Sequence, residues 1–142
     1  MFKALKNSFI WEHVLVAMST HTDNDLCDPF AGYLTDGGIK QFGGTPMDNV
    51  SFLEIILTPW QSLLNHAEES YLWLFCCSSM VNNSNLCTGL QHTIVHHKLL
   101  AIIAFTARHF QPSFASHLLL AFTEQVLMEC CLIRLAFGDM LA

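Results

Sequence analysis

The sequence predicts a mainly α protein: a small helical bundle of about three to four helices, preceded by an irregular Gly/Asp-rich segment. Three observations predict it. Apolar residues recur at helical spacing through the second half of the chain, Thr58-Pro59-Trp60-Gln61 reads as a helix start, and charge is too sparse for long apolar stretches to stand in water.

Composition sets the limits. The 142 residues suffice for one domain with a real core, and 52% are apolar while 13% are charged, about half the typical quarter. With 6 basic against 12 acidic side chains the formal charge is −6, and Lys and Arg cluster nowhere. Recognition of nucleic-acid phosphates is therefore not expected, nor is polybasic attachment to anionic lipid. The 6 cysteines are Cys27, Cys76, Cys77, Cys87, Cys130 and Cys131. Two adjacent pairs in apolar stretches fit free thiols better than a disulfide framework, and no C-x-x-C is present. A reducing, cytoplasmic setting follows as an expectation.

Residues 1–22 place Lys3 and Lys6 before Phe9, Ile10, Trp11, Val14, Leu15 and Val16. This resembles a secretory signal weakly, because Glu12 and His13 break the apolar run. An N-terminal amphipathic helix is the expectation. The sequons Asn49-Val50-Ser51 and Asn82-Asn83-Ser84 would matter only in a secreted chain. Residues 23–48 are rich in Gly, Asp, Thr and Pro and read as an irregular loop segment, with a short hairpin around Asp36-Gly37-Gly38. Asp23, Asp25 and Asp28 fail the calcium-loop pattern, which needs Gly at its sixth position and Glu at its twelfth. Gly37 to Gly44 lacks the Gly-Lys-Ser/Thr ending of a phosphate loop.

A bundle is expected over 49–142. Ser51 and Glu54 form a capping-box pattern ahead of Ile55, Ile56 and Leu57. An amphipathic helix is then expected from Pro59 to about Val81. Its stripe is Trp60, Leu63, Leu64, Ala67, Tyr71, Leu74 and Phe75, with Gln61, Glu68 and Glu69 off it. A second helix is expected from Leu90 to about His109, through Val95, Leu99, Ile102, Ile103, Thr106 and Phe110. After the turn at Gln111-Pro112-Ser113, a third is expected over Phe114 to Phe137, closed by Gly138. That last helix reaches the ~20 residues needed to cross a bilayer. A membrane-embedded hairpin formed with Leu90 to Phe110 is thus the alternative, opposed by the cost of Glu124, Glu129 and Arg134 in lipid.

His92 and His96 are the candidate metal ligands: four residues apart, they share one helix face, the spacing at which two imidazoles reach one zinc ion. His97 points about 100° away and joins them only if a second segment supplies the opposite wall. Neither Cys87 nor His109 is an obvious third ligand, and Thr93 stands where a metalloprotease has its glutamate. Bonding of these histidines to backbone or water is the plainer expectation, so no cofactor is assigned; zinc or haem belongs to the alternative. No catalytic residue is assigned. The chain has no G-x-S-x-G, Glu68 and Glu69 face different ways, and a reactive Cys87–His92 pair is less expected than a plain loop thiol.

These observations favour a small non-enzymatic protein that uses apolar helix faces on a protein partner or a membrane. A histidine-coordinated metal or haem protein is the competing expectation. A composition so little tuned for solubility also fits a young or marginally folded reading frame.

Overall fold

The computed structural model describes residues 11–22, 29–30, 33–36, 39–42, 49–76, 81, 84–106 and 112–141. It falls into two units, residues 1–109 and 110–142. The first unit is mixed α/β, and this corrects the expectation of a mainly α bundle.

Its elements in order are β1 (Trp11–Ser19), β2 (His21–Thr22), β3 (Pro29–Phe30), β4 (Tyr33–Asp36), β5 (Ile39–Phe42) and α1 (Asn49–Leu57). After a 3₁₀ turn at Thr58–Trp60 come α2 (Gln61–Leu64), β6 (Ala67–Phe75), α3 (Ser84–His97) and β7 (Ala101–Ala104). Strands β1, β6 and β7 form a parallel sheet in that order, with Leu15 opposite Tyr71 and Trp73 opposite Ile103. The segment expected as an N-terminal amphipathic helix therefore contributes an edge strand instead. Within the segment expected to be irregular, β2 pairs with β3 and β4 with β5, the latter with Asp36 opposite Ile39. Cys27, Cys77, Asp23, Asp25, Asp28, His109, the glycine pairs and most of the Asn82 sequon lie outside the described residues.

Strand β6 explains the correction. Tyr71, Leu72, Trp73 and Leu74 are all buried, the pattern of a central strand covered on both faces rather than of a helix with one apolar stripe. On one face Leu72, Leu74 and Cys76 join Val14, Leu53, Leu57, Leu64, Leu90 and Leu99 in a single apolar core between the sheet and its helices. On the other face Trp73, Phe75 and Phe105 form an aromatic ladder, with Phe75 and Phe105 stacked at 5.8 Å. Burying both faces of β6 outweighs whatever helical spacing its residues offer.

The expected helix from Leu90 to His109 stops at His97. Lys98 takes the left-handed conformation, φ 56°, Leu99 N–H bonds the Ile94 carbonyl at 3.0 Å, and Lys98 N–H bonds that of Val95 at 3.4 Å. This pair of bonds is a Schellman closure, normally built on glycine. Leu100 N–H then bonds the Ser70 carbonyl at 2.7 Å and carries the chain into β7. The apolar block after Lys98 thus turns from helix into a strand joined to β6 by the helix-containing crossover that parallel pairing requires.

The second unit holds α4 (Pro112–Phe122), a π-helical turn at Thr123–Met128 and α5 (Ile133–Met140). The single helix expected from Phe114 to Phe137 is interrupted where Cys130 adopts φ 56°, while Cys131 N–H reaches back to the Gln125 carbonyl at 2.9 Å. Among the described residues no helix is long and apolar enough to cross a membrane. That finding overturns the hairpin over Leu90 to Phe137, and the membrane-associated expectation so far as it rested on that hairpin.

A candidate histidine pocket between α1 and α3

Helix α3 turns Leu86, Gly89, Leu90, Thr93 and His97 inward, a stripe at three- and four-residue steps. His97, the last of them, is 2% exposed. His92 and His96 flank that stripe and are exposed. Helix α1 places Leu53 and Leu57 in the core, while Val50 and Glu54, four apart, face α3. Between the two helices lies an open cavity of about 40 Å³ lined by Val50, Glu54, His92, Thr93, His96 and His97. That is roughly three times the ~10–15 Å³ a cavity needs, on the same measure, to hold one water molecule.

The structure brings both predicted ligands, His92 and His96, to one cavity and adds His97 and Glu54. The second wall that His97 needed is α1. The rings of His92 and His96 stack at 6.0 Å between centroids, 12° from parallel, and His96 meets His97 edge to face at 4.7 Å. Thr93 contributes no free hydroxyl, since its Oγ1 donates to the Gly89 carbonyl at 3.0 Å.

Burial is the main force holding the His97 imidazole below its ordinary pKa; His96 and His92 add to the shift, and the Glu54 carboxylate opposes it. His97 therefore stays neutral at neutral pH, the state in which imidazole binds a metal. No three of these side chains bring donor atoms within 4.8 Å of one another. Ligation therefore requires the exposed His92 and His96 side chains to change rotamer, at a cost in side-chain entropy of roughly 1 kcal/mol each.

A second polar cluster lies on the sheet. His13 and Glu69 are register partners on β1 and β6, and His13 Nδ1 sits 3.2 Å from Glu69 Oε2. That is ion-pair distance, yet neither ring nitrogen of His13 has an aligned hydrogen bond among the described residues, so we regard the contact as electrostatic only. The Tyr71 hydroxyl donates to the same Glu69 oxygen. Burial first, and then that bond and charge, raise the Tyr71 phenol well above its usual value of 10.

Glu54 read in the sequence only as part of a capping box, and Gln61 only as the third residue of a helix. Their approach to the histidines depends on how α1, α2 and α3 pack, which no local spacing encodes. Cys87 is a half-buried free thiol and does not line the cavity. No protein-family model, curated protein or solved structure matches this chain.

Proposed function

We propose that this is a non-enzymatic protein that binds one borderline divalent metal ion of the zinc class in the α1/α3 cavity. His92, His96 and His97 would be nitrogen ligands and Glu54 the carboxylate. The observation that carries the reading is the convergence of three imidazoles and one carboxylate on a single small cavity. The donor set matches zinc better than calcium or magnesium, which favour oxygen-only shells. The formal charge of −6 also draws cations to the chain. A cytoplasmic setting is part of the proposal, supported by the free thiols Cys87 and Cys131.

Calorimetric titration of untagged protein with zinc chloride tests it, using a Cys130→Ser, Cys131→Ser background so that the two exposed thiols do not compete. Binding of one equivalent with a rise in melting temperature, both abolished by His92→Gln with His96→Gln, is the expected result. No heat and no shift in melting temperature would end the metal reading.

A second reading, docking of a protein partner on an apolar helix face, rests on Ile55, Ile56 and Trp60, which are 60%, 38% and 42% exposed around one end of α1. A partner recovered by the wild type but not by an Ile55→Lys, Trp60→Lys variant of unchanged melting temperature would favour it. Equal recovery by both would reject it.

A further inference from the structure

One hydrogen bond decides which nitrogen His97 offers to the cavity. Gln61, at the start of α2, has its Oε1 2.5 Å from His97 Nδ1. Its Nε2 donates to Asn65 Oδ1 at 3.0 Å, so the amide can turn its NH₂ group toward His97 only if the Asn65 amide turns as well. An amide oxygen only accepts, so with Gln61 in this orientation the proton belongs on His97 Nδ1. A neutral imidazole has one N–H, which leaves the lone pair on Nε2. We infer that Gln61 is a positioning residue, locking His97 as its Nδ1–H tautomer and making His97 Nε2 the preset anchor of the metal site. The inference rests on the metal-binding reading above.

The division of labour follows from burial. His92 and His96 are exposed and free to change rotamer, whereas His97 is 2% exposed and held at one nitrogen. An ion bound first by the fixed ligand leaves only the two mobile rings and Glu54 to be ordered around it. Gln61 stands where metal-binding histidines usually have a carboxylate or carbonyl partner, and removing such a partner lowers metal affinity roughly 10–100-fold. Asn65, four residues along from Gln61, holds the amide in register from the far side.

Long-range proton–nitrogen NMR on the labelled full-length chain reads the tautomer, and zinc titration of the same sample reads affinity. In metal-free wild type, His97 Nε2 should show the shift of an unprotonated nitrogen. Gln61→Leu should mix the two tautomers and weaken zinc binding roughly 10–100-fold, while Gln61→Glu should restore the single tautomer and bind at least as tightly as wild type. Asn65→Ala frees the amide without touching His97 and should lower tautomer purity, an independent check if Gln61→Leu impairs folding. Wild-type His97 protonated at Nε2 would overturn the inference, as would zinc binding unchanged in Gln61→Leu. A locked tautomer in a protein that binds no zinc would sink the metal reading and the anchoring role together, while leaving the Gln61 lock in place.

Discussion

Leu72→Ala separates strand from helix at the centre of the fold. Leu72 is fully buried, in the apolar core with Val14, Leu53 and Leu90. The substitution removes three carbons, worth about 0.8 kcal/mol each in transfer free energy, or roughly 2.4 kcal/mol. The cavity left behind raises the expected loss to about 3–4 kcal/mol. At about 2 kcal/mol per molar urea, the unfolding midpoint should fall by roughly 1.5–2 M. Tryptophan fluorescence is the assay, since Trp11, Trp60 and Trp73 all belong to the first unit. Were residues 59–81 one helix, Leu72 would share a face with Glu68, four residues before it, on the polar side, and its truncation would cost little. Ile55→Ala, at a site 60% exposed, is the control and should stay within about 0.5–1 kcal/mol of wild type. A Leu72→Ala loss no larger than that of Ile55→Ala would refute the parallel-sheet assignment of β6.

Lys98→Gly should stabilise the protein by about 1 kcal/mol, because φ 56° burdens a residue with a Cβ and not glycine; the gain reads as a rise of roughly 3 °C in melting temperature, and a fall would contradict the Schellman closure. Tyr71→Phe removes a hydroxyl bonded to the Glu69 carboxylate and should cost about 1.5–3 kcal/mol at neutral pH. The raised phenol pKa means that its share of stability is complete below pH 10, the unfolded value, and drains away as pH rises beyond it. Wild type should therefore lose stability above pH 10 more steeply than Tyr71→Phe, as followed by urea midpoints; parallel profiles would contradict the assignment. Thiol labelling should modify the exposed Cys130 and Cys131 at once and Cys76, 2% exposed, only on unfolding; prompt labelling of Cys76 would place it outside the core.

What the sequence revealed and what it hid have separate physical causes. Helix α1 was legible in its apolar run Ile55, Ile56 and Leu57, although Ser51 and Glu54 fall inside it and its start is Asn49, and the pairing of β4 with β5 was legible because Asp36-Gly37-Gly38 sits between short strand-forming runs. The pairing of His92 with His96 was also legible, since one helix face is a local property. The end of α3 was not. Its left-handed terminus falls on Lys98 where glycine is the usual marker, so the helical spacing of Leu99, Ile102 and Ile103 ran on unchecked. Strand β6 misled similarly, since Tyr71, Leu74 and Phe75 satisfy a helical stripe while Leu72 and Trp73, off that stripe, are equally buried. Only the neighbours β1 and β7 distinguish the two, and they lie far away along the chain. Glu54 and Gln61 stayed hidden for the same reason.

The parallel pairing of β1 with β6 joins residues 56 positions apart, as in the bond from Ser19 Oγ to the Phe75 carbonyl. At a synthesis rate of about 5–20 residues per second, β1 waits roughly 3–11 s for its partner to be made. During that interval Val14, Leu15, Val16 and Met18 have no sheet to enter, and the entropy of closing so long a loop slows their capture even after β6 exists. The nascent chain is therefore most vulnerable to misassociation at β1, in the interval before β6 is made.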